Sequence, residues 1–480
     1  MSDLSDLRTP ATLPRIPQQP RRPNWAQPDP IDELARELDA FVSAAVHPDE
    51  VAALLESDGL SDDQIRERYG VRNSFALAEE LYDRTPRRHP EPDTAPADPW
   101  RADLLGCLLR GLVFALPGLA YVLGAPLLAG PREAYGLPGS TFTLLAGALC
   151  GWAWNQGLAH RAYSWLSLGD RPGARRCLLV GAPAGMLLGA LVALAVAGPA
   201  HPAAAAFAAG QSCYLGASGV LLVMGRERAL LAALTPLTGG ALLTLVHPVP
   251  VSVRLFLLVT SLSAVATLGL LEVAPGTRIL KGCGAVPGTS RGPRLIASLP
   301  YAVFGLASGA LVVSAGLGDR LAGAERGALA LTLSMGPAEW LLYRFRGGTL
   351  AGLRASGTSR AFRRSTVRTL ARCLTGYLAA LLALVLATAV LWPHAPAPTG
   401  VRLGGLLALG VVLWTGLLLQ SFGAVLGAVA VCSAAALAQT LALLTHAAAP
   451  GTVALAVYAA AAVAQVALVA ALLGKATAHR

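Results

Sequence analysis

Twelve apolar stretches follow one another between residues 104 and 473, and the connectors between them alternate between arginine-rich and arginine-poor. The stretches are 104–128, 140–160, 177–198, 203–224, 229–247, 253–273, 295–317, 327–345, 373–392, 402–420, 422–445 and 452–473. Each is near the roughly 20 residues that a helix needs to cross a bilayer. With the N-terminus inside, the inner connectors and tail carry 20 Lys and Arg, and the outer connectors carry only Arg132, Arg254, Arg320, Arg326 and Arg402. This is the positive-inside pattern of a multi-pass membrane protein, and no soluble fold needs it. It predicts an all-α polytopic protein of about twelve transmembrane helices with both termini on the cytoplasmic side. The connector around Ser421 is the thin point, being almost absent and uncharged.

Charge is segregated along the chain. Residues 1–100 hold 20 of the 28 Asp and Glu, leaving eight for the rest, which carries 27 basic residues. A basic excess spread over many short loops fits anionic lipid headgroups as partners and forms no stripe for a nucleic acid. Seven cysteines are scattered without a CxxC, and most lie in apolar runs, where Cys is a small hydrophobe. The chain has no Walker A sequence, no Rossmann glycine turn, no HExxH and no paired cytoplasmic carboxylates. No cofactor, metal site or enzymatic activity is therefore expected. The Lys-poor, Ala/Gly/Leu/Arg-rich usage points to a GC-rich bacterial genome, and for a bacterial chain of helical spans the expected location is the cytoplasmic (inner) membrane.

Ahead of the membrane body, residues 1–30 are polar, proline-rich and read as disordered. Residues 31–84 read as a small cytoplasmic helical segment. Ile31, Leu34, Leu38, Phe41 and Val42 keep helical spacing, Pro48 interrupts, Ser61 with Gln64 fits a capping box, and Asn73 or Ser74 can cap a last helix. This segment reads either as a cytoplasmic extension that packs on the membrane domain or as a docking module for a cytoplasmic glycosyltransferase. Residues 85–100 (TPRRHPEPDTAPADPW) are a stiff proline-rich linker.

The twelve stretches split six and six: a first half at 101–273, a cytoplasmic linker at 274–294 and a second half at 295–480. A long basic connector follows the second stretch of each half, both of those stretches contain a Trp (Trp152, Trp340), and each connector ends in arginine followed by Cys-Leu. Matching features at equivalent places indicate an internal duplication.

The segment LSLGDRPGARRCLLVG (166–181) resembles the inner loop after the second helix in the multidrug/oligosaccharidyl-lipid/polysaccharide (MOP) flippase superfamily. PYAVFGL (300–306), running on to GDRLA (318–322), is similar to the membrane component of Pel-type exopolysaccharide exporters. The resemblance implies a twelve-helix flippase body that exports a polysaccharide or lipid-linked glycan without hydrolysing nucleotide itself. The same DRPGARR also looks like the loop signature of major facilitator transporters. That family expects Gly four residues before the Asp, where this chain has Leu166, and an Asp in the equivalent loop 346–372, which has none. A major-facilitator or MATE-like small-molecule exporter is the alternative, and a non-transporting subunit of a polysaccharide synthase is another.

Ionisable groups inside a membrane are costly and face a cavity or a partner. Arg110 and Glu339 are the leading candidates for a substrate or ion pathway. Glu339 can serve a proton, a cation or a sugar hydroxyl, or it can pair with Arg344 or with Arg110 of another helix. Glu272 reads as a boundary residue. The amides Asn155, Gln156, Gln211 and Gln420 offer neutral lining for a glycan, and Gln439 and Gln465 read as interhelical glue. Asp170 and Arg171 form a charged turn that can latch to a neighbouring helix end.

Overall fold

The computed structural model describes residues 29–86, 88, 103–129, 138–275, 292–321, 326–391, 399–445 and 448–475. Residues 1–28 of the predicted disordered start, most of the 85–100 linker and most of the 274–294 connector lie outside the described residues, whereas Asp29 and Pro30, expected to be disordered, cap and open a helix. The chain divides into two units, Met1–Ala97 and Asp98–Arg480. All elements are helical, with no strand among the described residues.

The first unit holds five short helices: α1 (Pro30–Glu37), α2 (Asp39–Val42), α3 (Pro48–Ser57), α4 (Asp62–Tyr69) and α5 (Ser74–Arg84). Local sequence sets their starts. Pro30 and Pro48 take first-turn positions, where a missing N–H costs nothing. Ser61 and Gln64 form a reciprocal capping box on α4, and Asn73 accepts the Ala76 N–H at 2.9 Å to start α5. Ile31, Val42, Val51, Leu55, Ile65, Leu77 and Leu81 make the core, whereas Phe41 of the predicted apolar face is exposed. Arg84 closes the bundle onto Asp29, Glu80 and Asp32, whose hydrogen bonds push its pKa further up.

The second unit runs α6 (Leu104–Ala115), α7 (Ala120–Leu128), α8 (Ser140–Ser167), α9 (Arg171–Ala197), α10 (Pro202–Val223), α11 (Glu227–Val246) and α12 (Val251–Val273). It continues with α13 (Leu299–Leu321), α14 (Arg326–Leu333), α15 (Met335–Ala355), α16 (Ser359–Leu391), α17 (Gly400–Ser421), α18 (Val425–Thr445) and α19 (Pro450–Leu473). Each predicted span lands on one of these helices or on a broken pair. Nine helical stretches among the described residues are long and apolar enough to cross a membrane. The spans predicted at 140–160, 229–247 and 327–345 fall outside that set. Their helices carry Asn155, Gln156, His160 and Arg161 (α8), Glu227 and Arg228 (α11), and a break followed by Glu339, Arg344 and Arg346 (α14 and α15). Val180, Leu187, Leu191 and Leu194 form an exposed stripe along α9. A soluble fold would bury such a stripe, whereas lipid accommodates it. The unit is a polytopic membrane fold.

Three pairings recur in the two sets of six spans, although the second span packs extensively on the fourth only in the first set, as α8 on α10. Second packs on third (α8 with α9, α15 with α16), fourth on sixth (α10 with α12, α17 with α19) and fifth on sixth (α11 with α12, α18 with α19) in both. The first span of each set also packs on the second span of the other: α6 on α15, and α13 on α8. Three connectors on the predicted inner side share one turn. At Gly169, Gly225 and Gly423 the backbone is left-handed, and paired hydrogen bonds close a Schellman motif. At the thin connector near Ser421, Gly423 N–H reaches Gln420 O at 3.1 Å and Ala424 N–H reaches Leu419 O at 2.9 Å, so three residues turn the chain.

Candidate functional site

The break between α14 and α15 follows from Pro337, which has no N–H to give the Leu333 carbonyl one turn earlier. At this break α6 crosses with almost no space. A methyl placed on Gly111 would lie 2.8 Å from the Gly336 nitrogen, and one on Gly336 would lie 2.8 Å from the Cys107 carbonyl. Two glycines facing each other let the backbones touch.

That crossing brings Arg110 of α6 and Glu339 of α15 together. The guanidinium Nη1 donates to Glu339 Oε1, and Nε sits 2.8 Å from Glu227 Oε1 at the start of α11, a charge contact and not an aligned hydrogen bond. Tyr343, one turn beyond Glu339, interacts with both Arg110 and Glu339. Arg110 is 34% exposed and Glu339 25%. Two carboxylates thus share one guanidinium at a joint between the two sets of spans. Arg344 is engaged elsewhere, lying 4.8 Å over the Trp340 ring.

A second ionic joint forms at Glu272. It is only 8% exposed and accepts from Arg175 of α9 and from Arg226 ahead of α11, both at 2.8 Å. The sequence alone places Glu272 at a span boundary and does not single out Glu227. The usable signal is scarcity. Of the eight acids after residue 100, the structure describes five with their side chains, and all five are engaged. Asp103 and Asp170 cap helices, and Glu227, Glu272 and Glu339 hold arginines.

Asp170 begins α9 by accepting the Gly173 N–H at 2.6 Å, with Arg176 of the same helix 4.0 Å away, and Arg171 is exposed at the first helical position. The bond between helix ends at this surface is made by Arg175 with Glu272. Asp170→Ala is expected to cost about 1 kcal/mol, as loss of a cap does, and Asp170→Asn to keep most of it. Thermal unfolding of the two purified variants checks this, since a latch role would make Asn as harmful as Ala.

The amides take several roles. Asn155 donates to the Gly151 carbonyl of its own helix at 2.9 Å, and Gln156 lies against Gly305 where α13 crosses α8. Gln211 accepts from Tyr121 at 2.9 Å. Gln465 joins Thr415 and Cys432 across three helices of the second set. The Gln420 side-chain oxygen is buried without a hydrogen bond. These residues do not converge on the Arg110–Glu339 joint.

No protein-family profile matches the chain, and no curated protein does. Two solved structures are similar to it. One is described as the outward-facing conformation of a multidrug resistance MATE family transporter of the MOP superfamily, with 12% identity over 80% of this chain and 97% of that one, at a TM-score of 0.41. The other is a crystal structure of a MATE mutant, with 13% identity over 80% of this chain and 98% of that one, at a TM-score of 0.37.

Proposed function

We propose that the chain is a secondary transporter in which the Arg110–Glu227–Glu339 joint couples ion binding to movement of one set of spans against the other. The observation that carries this reading is stoichiometry. Two carboxylates share one guanidinium within an apolar body, so one of them is free to take a proton or a monovalent cation. Neutralising Glu339 leaves Arg110 to Glu227 and removes the ionic tie between α15 and α6. A MATE-like exporter of small organic molecules suits such a site. The test is uptake of a fluorescent organic cation into inverted, ion-energised proteoliposomes. Glu339→Gln should abolish the gradient-driven component while the protein still inserts and elutes as a folded species. Full gradient-driven transport in that variant would rule Glu339 out as the coupling group.

A glycan-bearing cargo is the second reading. It is supported by the loop resemblance and by the unsatisfied oxygen of Gln420, which a sugar hydroxyl could satisfy. Normal surface polysaccharide in a deletion strain would remove it.

Both readings place the basic connectors on the inner side. Maleimide labelling of single cysteines in intact cells should therefore fail at Ser356→Cys and succeed at Thr399→Cys. External labelling at position 356 would invert the topology.

A further inference from the structure

The helix α16 is 33 residues long, about 50 Å at 1.5 Å per residue. A span needs roughly 20 residues, so about a dozen extend beyond the bilayer core. The extension carries Arg360, Arg363, Arg364, Arg368 and Arg372. Its inner face is fixed. Phe362, Thr366 and Leu370 are buried, and Ser365 and Thr369 lie against Gly352 and Gly348 of α15. The opposite face is therefore presented outward as a unit. Arg360, Arg363, Arg364, Val367 and Arg368 fall at helical spacing and line a pocket of about 450 Å³.

Among the described residues, no acidic side chain neutralises these arginines. No Asp or Glu follows Glu339 in the sequence, and Glu339 is held by Arg110. Among the described residues, no carboxylate lies within ion-pair reach of Arg360, Arg363, Arg364 or Arg368. Like charges packed on one face repel, so the face calls for an external anion. Guanidinium forks match phosphate oxygens in pairs.

The surroundings select the source of that phosphate. Val367 sits among the arginines and is 42% exposed. Further up the same helix, Leu386 is 58% and Val390 79% exposed. Arg368 and Leu386 are about five turns apart and so share one azimuth. One continuous outer stripe is cationic at its base and apolar above, the complement of a lipid with a phosphate head and an acyl tail. We propose that this face is a binding site for an anionic phospholipid of the leaflet on the basic side, with Arg363, Arg364 and Arg368 on the headgroup phosphate and Val367 against the start of the acyl chain.

The site can be tested on the full chain purified in detergent, using native mass spectrometry with phosphatidylglycerol, phosphatidylcholine and inorganic phosphate as separate titrants. Phosphatidylglycerol should bind the wild type in preference to phosphatidylcholine. Its affinity should fall about 100-fold in Arg363→Gln/Arg364→Gln/Arg368→Gln, from roughly 1 kcal/mol for each lost charge. The equal charge loss of Arg228→Gln/Arg294→Gln/Arg402→Gln should leave binding unchanged, and lysines at the three patch positions should keep it within about tenfold of wild type. Equal binding by patch and control variants would overturn the proposal. Displacement of phosphatidylglycerol by inorganic phosphate at matched concentration would also overturn it, in favour of a soluble phosphate ligand. The proposal rests on the membrane placement of α16, but the titration is done in detergent, so it and the labelling at position 356 fail independently.

Discussion

Arg110→Gln is expected to destabilise the membrane unit by about 2–4 kcal/mol, the loss seen when one partner of a largely buried ion pair is removed, reduced here for partial exposure. Charge counting explains why this variant should be far worse than Glu339→Gln or Glu227→Gln. Losing either acid leaves a one-to-one pair, because Arg110 contacts both. Losing the arginine leaves two carboxylates facing each other without a cation, between helices that cannot separate freely. The double variant Arg110→Gln/Glu339→Gln should recover most of the loss. Its remaining Glu227 sits in the first turn of α11, where the helix dipole favours an anion. Melting temperatures of the purified variants decide the matter. Equal shifts for Arg110→Gln and Glu339→Gln would show that the shared guanidinium is not what holds α6, α11 and α15 together.

Gly336→Leu should be as damaging by a different route, costing about 3 kcal/mol or more as an overpacked contact. The atoms a Cβ would meet there are the Cys107 carbonyl and Leu108 Cα of α6, backbone that cannot rotate away. The helices would have to part, and Glu339, one turn further on, would be drawn off Arg110, so transport should fail with stability. Even Gly336→Ala should be measurably harmful. Gly239→Ala is the matched control. It is also helical with open space around its Cβ position, and it should be neutral or gain up to about 1 kcal/mol from helix propensity. If the two alanine variants melt alike, close approach at the crossing is not a constraint.

The spans were legible because crossing a bilayer demands an apolar run of fixed length, whereas the left-handed turns at Gly225 and Gly423 emerged only with the structure. Caps were legible for a local reason: Ser61, Gln64 and Asn73 act within four residues of themselves. The ionic joints were not. Arg110 and Glu339 are 229 positions apart, and Glu272 lies 97 and 46 positions from its two arginines. No periodicity spans such distances, and they meet only because whole helices cross. The amides were ambiguous by chemistry. Asn155 and Gln156 look alike as cavity lining, yet Asn155 bonds its own helix while Gln156 fills the crossing with α13. The pairing of Glu339 with Arg110 was one of two partners the sequence left open, and Glu227 as the third member needed the structure.

The exchange of first spans between the two sets bears on the order in which the protein is made. A ribosome delivers α6 long before α15. At about 5–20 residues per second, Arg110 waits on the order of ten seconds or more for Glu339. Glu227 emerges earlier in that interval, at the start of α11, and can hold the guanidinium until the later helix arrives. The acid that makes the mature joint over-supplied with carboxylate would then act during insertion as a temporary counterion. On that view Glu227→Gln should lower the yield of inserted protein more than it lowers the stability of what is recovered.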